Sequence, residues 1–184
     1  MPLWTIERSS AALLVLGMAA FLPAGFMFWF RGGVQGRPVP SRTYFIVERS
    51  LVMAAVILTA LGLVLLDGRL QDGGGRILSR LGAYGYLFAA ILIVSAEALN
   101  LNGGYEKNYP LVVVYVVLAF LAQAVIGVSL LQAGPTPEWI GWLAIAWNIG
   151  WLVVLPLVSR RDIYFPVVHH CIPLVLGIAL LWTP

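Results

Sequence analysis

A chain of 184 residues in which 61% of positions are hydrophobic and only 10% are charged lies far from the composition of water-soluble domains, which are about a quarter charged. Its mean hydropathy of +0.93 excludes a soluble globule and a disordered chain alike, because so much apolar surface has to be buried in lipid. The formal charge of +3 comes from arginines in short connecting runs rather than from a basic face, so no nucleic-acid partner is expected.

A hydrocarbon layer of about 30 Å, crossed at 1.5 Å per residue, requires roughly 20 apolar positions. Residues 10–30 form the first such run. It is longer than the core of a cleavable signal and Glu7 offsets Arg8 in its flank, which predicts a retained span. The breaker-rich run from Arg31 to Pro38 follows. The second span is expected over residues 44–66. Its uncharged stretch, Leu51 to Leu66, is only 16 residues long, so Glu48 and Arg49 have to supply the missing turn. The glycine-rich run from Asp67 to Arg76 reads as a loop.

The third span, 78–99, has the same shortage and draws Arg80 or Glu97 into its ends. Spans four, five and six are expected over 109–131, 138–158 and 163–182. Gly134 suits a helix end, Thr136 a cap, and Pro137 with Glu138 the first turn of the fifth helix, while Asp162 is placed to cap the sixth. No connection is long enough for a second domain. The expectation is therefore an all-α polytopic membrane protein, residues 1–184 forming one six-helix bundle with short loops.

Six crossings put both termini on one side, side A. The opposite side B collects Arg31, Arg37, Arg42, Arg49, Lys107, Arg160 and Arg161, against Arg8, Arg69, Arg76 and Arg80 on side A. The positive-inside rule then makes side B cytoplasmic in a cell membrane. Ser41 to Val47 and Ser159 to Val167 share an arginine and a Tyr-Phe pair; an aromatic belt beside cationic anchors produces that pattern without duplication.

A charge inside a bilayer is costly, about 2.5–3.5 kcal/mol at the centre of a span, so the few that enter are informative. Glu48 and Arg49 begin the second span, Glu97 ends the third, and His169 and His170 lie two turns into the sixth, all toward side B. Residues seven apart differ by about 20° around a helix, so Ala83, Ala90 and Glu97 share one stripe with Tyr86 and Ile93 beside it. A stripe of small residues turns Glu97 toward the bundle, with Arg49 as its expected partner. Pro173 frees the carbonyl of His169 beside the two imidazoles. Trp147 and Trp151, about 40° apart on the fifth helix, form a candidate aromatic wall, and Asn148 and Gln123 extend a polar track inward.

Adjacent histidines point about 100° apart, which disfavours a shared metal ion, and no further histidine exists for a bis-histidine haem. Cys171, the single cysteine, allows no intramolecular disulfide. Phosphate loops, Gly-x-Ser-x-Gly, His-Glu-x-x-His and Cys-x-x-Cys are all missing, so no cofactor is implied. The leading expectation is a non-catalytic protein that binds a small hydrophobic or amphipathic molecule through Glu48, Arg49, Glu97, His169, His170, Trp147, Asn148 and Trp151, or that serves as a subunit of a larger membrane complex or homo-oligomer. Proton-coupled transport through Glu97 and an intramembrane isomerase or cyclase are the alternatives.

Overall fold

The computed structural model describes residues 5–30, 41–70, 75–101, 105–134, 136–158 and 166–182, and within these the side chains of 105, 106, 158 and 166–169 lie outside the description. The described residues form six α-helices and no strand: α1 (Ile6–Phe30), α2 (Arg42–Leu70), α3 (Arg76–Asn100), α4 (Tyr105–Ala133), α5 (Glu138–Val158) and α6 (Pro166–Trp182). Long apolar runs take this form because only a helix satisfies every backbone polar group of a lone segment within lipid. Five of the six are long and apolar enough to cross a membrane, and α6 is a shorter apolar helix. Its expected start at residue 163 and the expected cap Asp162 lie outside the described residues.

The helices close on one another in chain order. α1 packs between α2 and α6, α3 between α2 and α4, and α5 lies on α4 with little contact to α6. Small residues set the closest seams. A β-carbon at Gly127 of α4 would stand 2.8 Å from the carbonyl oxygen of Gly141 on α5, and one at Gly141 would stand 2.9 Å from that of Gly127. The two backbones touch there, as membrane helices do where side chains are smallest. Gly127→Ala is expected to cost about 1–3 kcal/mol through overpacking, read as a lower thermal midpoint in detergent; an unchanged midpoint contradicts the seam.

Polar and apolar groups are distributed in the reverse of a soluble protein. Leu16, Phe26, Phe88, Val153, Leu157 and Trp182 face outward, while Glu48, Arg49, Asp67, Glu97, Gln123 and Asn148 are buried. An exterior of large apolar side chains around a partly polar core is stable in lipid and not in water.

Charge enters the helices at more places than the two shortages require. α2 runs to Leu70, so Asp67, expected in a loop, instead completes the helix and is buried at the side A end. Ser79 of α3 donates a hydrogen bond to its carboxylate, and Arg80 Nε stands 3.8 Å away. Beside it, Arg69 bridges to Glu7 of α1 at 2.8 Å, partly exposed. Gly134 ends α4 with a φ of 67°, donating its amide to the Leu130 carbonyl at 2.9 Å. Thr136 does not cap α5: its hydroxyl makes no hydrogen bond, and Pro137 supplies the carbonyl that accepts from Ile140.

Candidate functional site

At the side B end, Arg49 of α2 lies between two carboxylates. Its Nη1 donates to Glu97 of α3 at 2.9 Å and its Nη2 to Glu48, its own neighbour in the chain, at 2.6 Å. The three are 0–1% exposed. Asn100 donates to the second Glu97 oxygen at 3.2 Å, and Asn108 of α4 donates to Asn100 at 3.0 Å. The guanidinium carbon also sits 5.2 Å from the centre of the Phe45 ring. Three helices are thereby joined by one chain of hydrogen bonds, charge-assisted from Glu48 through Arg49 and Glu97 to Asn100 and neutral between Asn100 and Asn108. The helical phase of Glu97 agrees with this arrangement: Ala83, Tyr86, Ala90 and Ile93 are all buried on the same face.

Below this network α2 and α3 separate on their outer side. Ile57, Ala60 and Leu61 of α2 and Leu87, Ala90, Ile91, Val94 and Ser95 of α3 line a groove of about 210 Å³. Ile57, Leu61 and Ile91 form its exposed rim, and Ala60 and Ala90 its buried floor. Ser95, the one polar residue in the lining, is two positions from Glu97. The same helix pair is joined again at the far end by Asp67 and Ser79. The groove thus lies between two polar junctions, and its own lining is made of small and aliphatic side chains.

The remaining sequence-predicted residues lie elsewhere. His170 is not part of the Arg49 network. Its ring stacks on Phe21 of α1, with centroids 4.6 Å apart, and its Nδ1 stands 3.3 Å from Thr59 Oγ1. Thr59 is ten residues along α2 from Arg49, about 15 Å deeper. Thr59 gives its only proton to the Ala55 carbonyl at 2.9 Å, so in this contact His170 Nδ1 carries the hydrogen and Thr59 accepts. The side chain of His169 lies outside the described residues. Trp147 and Trp151 meet edge to face at 5.8 Å, on α5 and away from the groove. Asn148 is wholly buried on the same helix, donating to its own Ala144 carbonyl at 2.7 Å. The expected single cavity is therefore divided into an ion network with its groove, a histidine contact at mid-depth, and the α5 face.

Asp67, Ser79, Tyr86 and Tyr115 are polar core residues that sequence reasoning did not single out as sites. Among the described residues no three His, Cys, Asp or Glu side chains gather in a way that could hold a metal ion. The fold and this distribution of polarity define a helical, membrane-embedded bundle. No family model matches the chain, and no curated protein or solved structure matches it either.

Proposed function

We propose that the protein binds a small hydrophobic or amphipathic molecule, without chemical change, in the groove between α2 and α3, entered sideways from the lipid. The observation that carries this reading is the lining itself: seven apolar side chains with Ser95 at the end nearest Glu97. A volume of about 210 Å³ lies below the roughly 300–1,000 Å³ of sites for drug-sized molecules, which favours one slender chain with a small polar end. The transport and enzyme readings need a path to the Glu97 carboxylate, which protein encloses on every side. The groove needs none.

Leu61 and Ile91 are 47% and 56% exposed, so enlarging them narrows the mouth without disturbing the core. Leu61→Trp combined with Ile91→Trp is expected to lower saturable binding of tritiated hexadecanol to the purified protein at least fivefold. Val153→Trp, on the outer face of α5, leaves it unchanged. Equal binding by all three proteins contradicts the reading. Under the positive-inside rule the protein resides in the cell membrane with the Arg49 end toward the cytoplasm and both termini outside. A cysteine at exposed Arg42 is then expected to react with an impermeant maleimide only in inverted vesicles; reaction in intact cells reverses the orientation.

A further inference from the structure

Ser95 stands at one end of the outer groove, and its placement decides which kind of molecule can lie there. The pairings of Arg49 with Glu97 and of Ser79 with Asp67 set the antiparallel register of α2 and α3, so that Ile57 is level with Ala89 and Leu61 with Gly85. The α2 part of the lining therefore flanks Leu87 and Ala90, at the end farther from Arg49, while Val94 and Ser95 complete the end nearer to it. From Leu87 to Ser95 is about 12 Å of helix. A chain lying along it has its tail toward the middle of the bundle and its head toward side B.

The chemistry at that head position is narrow. Among the described residues the lining includes no ionisable side chain. The Arg49 guanidinium, at the same end of the bundle, is buried and already divided between Glu97 and Glu48, so its charge is not offered to the groove. A carboxylate or phosphate beside Ser95 would lie below the helix end, against apolar walls and without a counter-ion, which is a costly position for a charge in a membrane. Ser95 is exposed, and a serine hydroxyl supplies one proton and two lone pairs. It can pair with a neutral group that donates and accepts at once.

Resting on the reading that the groove binds a slender amphipathic molecule, we infer that Ser95 is its specificity-determining residue. It selects a single-chain lipid ending in a neutral hydroxyl, held with that end toward side B, over an ionised fatty acid or a phospholipid.

Displacement of tritiated hexadecanol from the purified full chain tests this, with hexadecanol, hexadecane and, at about pH 9 where the carboxyl is ionised, hexadecanoate as competitors. For the unaltered protein hexadecanoate is expected to bind at least tenfold more weakly than hexadecanol. Ser95→Ala, an exposed change that adds no bulk, is expected to weaken hexadecanol about three- to tenfold, the worth of one hydrogen bond, and to leave hexadecane unchanged. A groove merely reshaped by the substitution would move both competitors together, which overturns the inference. Undiminished hexadecanol binding by Ser95→Ala, in a protein whose binding still falls with Leu61→Trp and Ile91→Trp, overturns the role of Ser95 and leaves the groove standing. Binding indifferent to the two tryptophans removes the groove, and the inference with it. Hexadecanoate binding as tightly as hexadecanol overturns the selection for a neutral end.

Discussion

Arg49→Leu is expected to remove about 3–5 kcal/mol of stability, because it leaves the Glu48 and Glu97 carboxylates buried without the guanidinium that joins them. The loss reflects stranded charge rather than the worth of the ion pair. Two charges withdrawn from water gain back in attraction little more than they lost in solvation, so removing the whole network differs from breaking it. The triple change Glu48→Leu, Arg49→Leu and Glu97→Met is accordingly expected to recover most of the stability lost in the single variant. Arg49→Lys should fall between, since one ammonium cannot reproduce two guanidinium bonds aimed at separate helices. Unfolding in mixed micelles measures all three. A single variant that loses less than about 1 kcal/mol would show that the network adds no specific constraint.

The second large effect is expected at the opposite rim. Asp67→Leu deprives the buried Ser79 hydroxyl of its acceptor and is expected to cost about 1–3 kcal/mol, while Asp67→Asn keeps an oxygen there and loses less. Arg80 contributes little to the difference, being half exposed at 3.8 Å. Asp67 is eighteen residues from Arg49 along α2, about 27 Å of helix, so the losses from Asp67→Asn and Glu97→Gln are expected to add within about 0.5 kcal/mol. A coupling of more than 1 kcal/mol in that double-variant cycle would mean that α2 and α3 move as a unit rather than being fastened independently at each end.

The ion network was legible in the sequence for a definite reason. A charge at the edge of an uncharged run has to be placed somewhere, and the small-residue stripe of α3 fixed where Glu97 looks. Asp67 escaped because the glycines that follow it read as a loop, whereas α2 continues past it for another turn. The depth of His170 escaped for a different reason. Counting turns from the start of a span assumes that the helix begins at the membrane surface, and only the contact with Thr59 sets its level. Tyr86, Tyr115 and Ser79 carry no formal charge, so nothing in hydropathy separates them from ordinary interior residues. The groove is invisible to any one-dimensional pattern, because it arises from how α2 and α3 diverge between their two polar junctions.

These features give the α2–α3 pair a particular mechanical character. Charge and hydrogen bonds fix its ends, while the outer side of its middle, the groove, is lined by apolar side chains with Ser95 and faces lipid. An occupant can enter there without breaking a polar contact, which is the physical basis of the binding role argued for the groove.

The most direct measurement is a labelling map. The protein in lipid nanodiscs is irradiated with a tail-diazirine long-chain alcohol at low occupancy, and the modified residues are read by peptide sequencing. Labels concentrated on Leu61, Ile91, Val94 and Ser95, and displaced by excess unlabelled alcohol, are the predicted result. Labels spread evenly over outward residues such as Val153 and Leu157, with no displacement, would contradict it.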